Sequence, residues 1–502
     1  MKYSVGVNLP QKSPVVDELM SSSEYLAILR DARDVYLYGE RVKDVTTDPG
    51  FRNSARSIAR LYDALHRPES REALTTVDRF GIRTHRFFAP SYSSSELLAA
   101  RDAIAAWARL TYGFMGRTPD YKAAFMATLG ANPEFYAPFE ENARQWYRRF
   151  ASKALFLNHV LINPPVDRNK PVHEIADVFL HVVRETDGGA IVSGAKMLAT
   201  GSALTNATFV AQNSATTLQA GKAEDFALVF IAPMDTPGTK LLCRPSYEQN
   251  ARSPFDHPLS SRFDENDAVL IFHEAFIPWE NFLVYRNVER ANSFFPESGF
   301  FNRYNLQGGT RLAVKLDLMT GLLARGLAVN GTDGFRGVQA ALGDVIAWRT
   351  MLWAMTSALC SDPQSGPGGS VMPRLEYAAA MRIFATSAWP AVKSIFENLL
   401  GGAPLVTTSG REDLLNPDLQ PLIDRYYRGT NATAEERIKL FKLIWDAIGT
   451  EFAGRHMLYE KFYAGSSIVV CNQSDREAPW QGFHDIVDRL LAGIEVPDAG
   501  AR

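Results

Sequence analysis

Arg117 and Tyr121 stand four residues apart across Thr118-Pro119. Threonine as N-cap with proline in the first helical position predicts a helix opening there and running through Phe125. A guanidinium is a permanent cation, and a helix N-terminus adds partial positive charge, so the pair is suited to stabilising an oxyanion. Read locally, a surface arginine beside a half-buried tyrosine is the plainer account. His159 sits in the apolar run Phe156-Leu157-Asn158-His159-Val160-Leu161. An imidazole titrates near neutrality and can move a proton, while a hydrogen-bonded core histidine is the more ordinary occupant of such a run. Thr200, in Ala199-Thr200-Gly201-Ser202, is either a short hydrogen-bonding group at a site or a turn threonine. Asp167-Arg168 reads locally as a surface charge pair, and Thr450-Glu451-Phe452-Ala453 as ordinary helix packing.

Three blocks must position these residues. Glu96 to Trp107 has high helix propensity and helical apolar spacing, and a break follows at Gly113 to Gly116. Near residue 155 the texture turns strand-like. Val178–Val183 and Ala190–Val192 flank the turn signal Asp187-Gly188-Gly189, and Phe226–Ala232 and Ala268–Phe272 continue the pattern. The helical period returns in Thr310–Asn330, Gly334–Cys360 and Leu375–Leu400, and Thr433-Ala434-Glu435-Glu436 reads as a capping box before a helix toward Tyr463. Ser361–Ser370 and Thr407–Pro417 read as loops. The expected fold is α+β: an N-terminal helical domain (1–154), a central β-rich domain (155–285) and a C-terminal long-helix bundle with its tail (286–502). Helices this long and apolar pack as a bundle and suggest burial between subunits. A cleft where three such domains meet suits a cofactor.

Bulk properties narrow the class. The chain has 502 residues, 46 % hydrophobic and 22 % charged, with a net charge of −3. No global field would recruit nucleic acid or an anionic membrane. Met1-Lys2-Tyr3-Ser4-Val5 leads into a polar stretch rather than a signal core, and no run of about 18 apolar residues predicts a membrane span. Cys243, Cys360 and Cys471 are dispersed and odd in number, as in a reduced, cytoplasmic chain. No GxGxxG follows a strand, and GxxxxGK[ST], HExxH and GxSxG are absent. The nine histidines have no ligand spacing, so no metal is expected. Reactive chemistry would then come from a cofactor bound without these signatures.

Longer motifs carry a resemblance. Leu37-Tyr38-Gly39-Glu40-Arg41-Val42-Lys43-Asp44-Val45, Gly116-Arg117-Thr118-Pro119-Asp120-Tyr121 and Asn163-Pro164-Pro165-Val166-Asp167-Arg168 are three of them. Gly194 to Gly201, Pro258 to Glu265 and Gly449-Thr450-Glu451-Phe452 are three more. From about residue 25 to 465 the chain resembles the oxygenase component of the 4-hydroxyphenylacetate 3-monooxygenase family. The resemblance implies an acyl-CoA-dehydrogenase-like fold, a homotetramer, and FADH2 delivered by diffusion from a separate flavin reductase, with O2 as co-substrate. The implied reaction hydroxylates a para-substituted phenol ortho to its hydroxyl, through a flavin C4a-hydroperoxide, giving a catechol. The substrate would be a small phenolic acid or a tyrosyl group tethered to a carrier protein, as in antibiotic biosynthesis.

The same resemblance assigns roles. Arg117, Tyr121 and His159 would line the phenol, with His159 bonding its hydroxyl and contacting the flavin. Thr200 would offer a short donor near flavin N5. Ser202, Pro165, Val166, Asp167, Arg168, Thr450, Glu451, Phe452 and Ala453 resemble flavin-contacting positions. Residues 212–222, locally a plain exposed loop, resemble a mobile loop that places Asn213, Ser214 and Ala215 near the substrate's acidic tail. Two other reactions occur on the same fold: a CoA-ester dehydratase, against which three isolated cysteines argue, and an acyl-CoA dehydrogenase with tightly held FAD.

Overall fold

The computed structural model describes residues 15–213, 217–463, 465 and 467–494. Four longer helices occupy the N-terminal part: α1 (Arg52–His66), α2 (Ser94–Leu110), α3 (Pro119–Ala131) and α4 (Glu140–Lys153). Every residue of α3 from Pro119 to Leu129 is buried. Its burial is all-round although it carries Asp120 and Lys122, and α3 is the joint of the molecule. Its start follows the threonine–proline pattern, with one difference. Thr118 Oγ1 donates to Asp120 Oδ1 at 2.6 Å and makes no capping bond to the backbone. A buried carboxylate two residues on is a stronger acceptor for that hydroxyl than the amides are donors to it.

Ten strands build the two main sheets: β1 (Val35–Leu37), β2 (Glu40–Val42), β3 (Leu157–Val160), β4 (His181–Thr186), β5 (Gly189–Met197), β6 (Ala207–Val210), β7 (Leu228–Pro233), β8 (Thr239–Cys243), β9 (Ala268–Pro278) and β10 (Phe282–Tyr285). The larger sheet runs β2-β1-β8-β9-β5-β4 and the smaller β10-β7-β6-β3. Asp187-Gly188 makes the tight turn between β4 and β5, with Thr186 facing Gly189. The strand expected over Val178–Val183 starts later, at His181, because Phe179 makes only an isolated bridge to Ala195. In the smaller sheet β3 and β6 run parallel, His159 opposite Phe209 and Val160 opposite Val210.

The C-terminal bundle contains α5 (Phe300–Asn330), α6 (Arg336–Ser361), α7 (Leu375–Leu400), α8 (Ala434–Ile448) and α9 (Glu451–Phe462). Helix α5 packs on α2, α3, α6 and α7. It begins at Phe300 rather than Thr310, and Gly308-Gly309 lies inside it. A Cβ at Gly308 would meet the Tyr463 ring at 2.6 Å, and one at Gly309 would strike Met381. These glycines permit close packing and do not mark a helix end. The capping box at Thr433 and Glu436 forms, but the single helix expected toward Tyr463 is two. It breaks at Gly449-Thr450, where Thr450 Oγ1 accepts from the Ala453 amide and caps α9. The stretches expected as loops hold a two-stranded ladder, Gln364–Ser365 with Val371–Met372, and a short helix, Arg411–Leu415. One continuous hydrophobic core joins the N-terminal helices, both sheets and the bundle. Among the described residues no helix is long and apolar enough to cross a membrane.

Candidate active site

Helix α3 and strand β3 lie against each other and bring Arg117, Tyr121 and His159 together. The Arg117 guanidinium carbon is 3.9 Å from the Tyr121 ring centroid, and the Tyr121 and His159 rings stack with centroids 5.7 Å apart. Phe125, one turn further along α3, packs on His159 at 4.9 Å. Arg117 is buried, its backbone N–H donating to Glu265 and its Nη2 to the Tyr463 carbonyl at 3.0 Å. A surface arginine is therefore excluded.

Charge at this centre comes from residues that sequence reasoning missed. Lys122 is buried with its Nζ 4.3 Å from the Tyr121 ring centroid, and burial, with Arg117 beside it, pushes its amine well below the ordinary lysine range. Burial, reinforced by Lys122 and Arg117, holds the His159 imidazole well below its ordinary titration range. The imidazole expected to titrate near neutrality is instead a neutral base throughout the physiological range. Tyr459 packs beside three guanidiniums, those of Arg117, Arg455 and Arg311, at 5.1, 5.0 and 5.2 Å. Behind it, Glu460 is fully buried and accepts from Arg311 and from Lys315.

A chain of ion pairs links Arg117 to Thr200. Glu265 accepts from the Arg117 amide and from Arg455, and Arg455 donates twice to Asp267, at 2.9 and 3.0 Å. Asp267 in turn accepts the Thr200 hydroxyl at 2.6 Å. Thr200 is thus a donor to the protein, which differs from the expectation of a donor directed at a ligand. The partners in this chain are up to 190 residues apart, and on paper each is an ordinary charged residue. The one signal available was that Glu265 closes the Pro258–Glu265 stretch, with Asp267 two residues further on.

The remaining candidates are placed as follows. Ser202 is buried in the turn after Gly201, whose φ of 70° suits glycine. Pro165 to Arg168 form a loop in which Val166 is 57 % exposed and Asp167 accepts from the Asn169 amide. Thr450 caps α9, Glu451 is exposed, Ala453 is buried, and Phe452 turns inward against Phe114 and His456. Among the described residues, no hydrogen bond, ion pair or ring contact of these two stretches reaches Arg117, Tyr121 or His159. Asn213 is half-buried, and Ser214 and Ala215 lie outside the described residues.

Several buried polar atoms have no hydrogen-bond partner among the described residues: Arg117 Nη1, His159 Nδ1 and the hydroxyls of Tyr459 and Tyr463 at the centre, and Ser202 Oγ in its turn. Buried donors and acceptors are almost always paired. Unpartnered donors and acceptors on Arg117, His159, Tyr459 and Tyr463 fit a polar, flat ligand together with a phenol, and so fit a flavin site. Among the described residues no cluster of three or more His, Cys, Asp or Glu side chains has the geometry to hold a metal ion.

The sequence profile of the 4-hydroxyphenylacetate 3-hydroxylase N-terminal region matches residues 21–284, and that of the C-terminal region matches residues 291–492. The chain belongs to the 4-hydroxyphenylacetate 3-hydroxylase family. Within the family it is 58 % identical to the pyoverdin chromophore biosynthetic protein PvcC of Pseudomonas aeruginosa, over 90 % of both chains. It is 53 % identical to the 4-hydroxyphenylacetate 3-monooxygenase oxygenase component of the same organism, over 92 % of this chain and 90 % of that one. A Streptomyces globisporus monooxygenase acting on a (3S)-3-amino-3-(3-chloro-4-hydroxyphenyl)propanoyl group on a peptidyl-carrier protein is 48 % identical over 89 % and 85 %. The crystal structure of a hydroxylase oxygenase component with FAD and 4-hydroxyphenylacetate superposes with a TM-score of 0.89 at 28 % identity, covering 94 % of this chain and 98 % of that one. The fold is acyl-CoA-dehydrogenase-like, as expected. An archaeal 4-hydroxybutyryl-CoA dehydratase shares that fold, with a TM-score of 0.84 at 20 % identity.

Proposed function

We propose that this hydroxylase takes FADH2 from a separate reductase, and uses it with O2 to hydroxylate a para-substituted phenol ortho to its hydroxyl, yielding a catechol. The observation that carries the reading is the meeting of Arg117, Tyr121 and His159 around buried, unpartnered polar atoms. Bound reduced flavin would supply the electrons that activate O2. The chain's own residues do the rest. Arg117, a cation in a dry setting, stabilises negative charge on the phenolic oxygen. Tyr121 holds that oxygen in place, and the neutral His159 takes its proton. A phenolate is the more electron-rich ring and the better acceptor of an electrophilic oxygen. Packed aromatic walls, Phe125 and Phe300 with centroids 3.7 Å apart, exclude water from one side of the centre.

Thr200, Ser202, the 165–168 loop and the 450–453 turn are proposed to hold the flavin, with residues 213–215 meeting the substrate's tail. The relation to PvcC and to the carrier-protein-dependent monooxygenase supports a tyrosine-derived phenol, free or tethered to a carrier. We place the enzyme in the cytoplasm as a homotetramer. Supporting assembly, the helix Trp480–Ala492 presents Trp480, Phe483, Ile486, Leu490 and Leu491 to solvent. The test is a substrate panel with an unrelated flavin reductase: 4-hydroxyphenylacetate, tyrosine and a carrier-bound tyrosyl group. A gain of one oxygen atom by mass is expected from at least one phenol. Reduction of the bound flavin by an acyl-CoA, with no phenol hydroxylated, would establish the dehydrogenase reading instead.

A further inference from the structure

Thr200 lies in the turn that leaves β5, and its hydroxyl has a single proton to donate. That proton goes to Asp267 Oδ1 at 2.6 Å. Asp267 can give nothing back. Arg455 donates Nη2 to Oδ1 at 2.9 Å and Nε to Oδ2 at 3.0 Å, and Arg244 donates Nε to Oδ2 at 3.0 Å. Although burial works against its charge, these two guanidiniums hold the carboxylate ionised, far below the usual carboxylate range. An ionised carboxylate only accepts. The Thr200 oxygen therefore presents lone pairs alone to anything bound beside it.

We propose that Asp267, acting through Thr200, makes the flavin site selective for oxidation state, favouring the reduced ring over the oxidised one. This rests on the reading that Thr200 lies at flavin N5. Reduced flavin carries a hydrogen on N5 and can donate it. Oxidised flavin has only a lone pair there. A threonine locked as acceptor gains a hydrogen bond from the first and faces the second acceptor to acceptor. A buried polar group without its partner costs more than a bond contributes, so the difference is amplified in a dry site. Such selectivity suits an oxygenase that must capture reduced flavin from solution and let the spent, oxidised form go. Asp267 is a positioning residue, since it acts on the ligand only through Thr200.

The test compares dissociation constants of FAD and, under anaerobic conditions, FADH2, by flavin fluorescence on the full-length protein. In Asp267→Asn the side-chain amide can donate to Thr200, which frees the hydroxyl to donate toward N5. The ratio of the FAD to the FADH2 dissociation constant should then fall by about tenfold, the worth of one hydrogen bond gained or lost. For a two-electron couple that is about 30 mV in the midpoint potential of the bound flavin. Thr200→Val should lower the ratio similarly, Thr200→Ser should keep it, and Asp267→Asn should add nothing in the Thr200→Val background. If Asp267→Asn fails to fold, the threonine pair decides the matter alone. An unchanged ratio in Thr200→Val, in a protein that binds FADH2 and hydroxylates a phenol, overturns the proposal and leaves the hydroxylase reading intact. Failure of the unmodified protein to bind FADH2 overturns both.

Discussion

The Arg117 guanidinium carbon lies 3.9 Å from the Tyr121 ring centroid, and the Tyr121 and His159 rings stack with centroids 5.7 Å apart. A cation, a phenol side chain and an imidazole thus form one continuous stack across the junction of α3 and β3. Arg117 also helps burial keep His159 unprotonated, so in the proposed mechanism the same cation serves both the phenolate and the base.

Removing the base should separate oxygen consumption from product formation. His159→Ala is expected to bind FAD nearly as well as the unmodified protein and to consume O2, but to form catechol about 100-fold more slowly, the lower end of what a positioned general base contributes. Parallel assays of hydrogen peroxide and catechol check this. Equal, well-coupled turnover by the variant would remove His159 from the mechanism.

Gly116→Ala should disturb the site from behind. A Cβ there would run into the Tyr459 ring, which is buried and has no room to swing. Displacing Tyr459 moves the wall against which Arg117 rests. Overpacking of this kind costs about 1–3 kcal/mol, and the catechol yield per O2 should drop with it. Thermal unfolding and coupling efficiency, measured together, report both effects.

Glu460 compensates Arg311 and Lys315 in a region closed to solvent. Glu460→Gln leaves two cations facing each other without a counter-charge, and breaking a buried pair in this way costs about 3–5 kcal/mol. Urea denaturation should show that loss as a lower midpoint with an unchanged slope. A variant as stable as the parent would mean that the two cations find other acceptors.

Stability should also decline in acid for a stated reason. Burial holds the His159 and His456 imidazoles well below 6.5 and takes His85 down to about 3. The unfolded chain binds these protons below about pH 6.5 and the folded chain does not. Depressed folded values mean that the full contribution is present above pH 6.5 and is lost as pH falls toward about 3. His85→Gln should reduce the slope of unfolding free energy in that window by up to one proton, about 1.4 kcal/mol per pH unit. Chemical denaturation at several pH values measures it.

Local chemistry was readable in the amino-acid order and distant chemistry was not. The Thr433–Glu436 capping box and the Asp187-Gly188 turn form as expected because each is decided within four residues. Leu375–Leu400 has the limits that its apolar period indicates. The start of α5 reads late, at Thr310 rather than Phe300, and Gly308-Gly309 lies inside the helix because Tyr463 and Met381 fill the space above those glycines. Thr450 hid the end of α8, because a threonine inside a helical pattern becomes a cap only once the backbone turns there. At the site, motif resemblance reached Arg117, Tyr121, His159 and Thr200. It covered Glu265 without giving it a role, and it did not reach Lys122, Asp267 or Arg455. Their meaning depends on partners far along the chain and on burial, which no local pattern of charged residues announces.

The parallel pairing of β3 with β6 has a consequence for how such enzymes diversify. His159 rides on one strand, and its neighbour, ending at Val210, runs straight into the stretch beginning at Gln212. The Ala211 amide is still bonded to the Val160 carbonyl. The strand that carries His159, the proposed base, is therefore held in register up to the point where the chain enters residues 212–222. On the proposed roles, exchanges beyond Asn213 would alter which phenol is admitted while leaving the register that holds His159 in place.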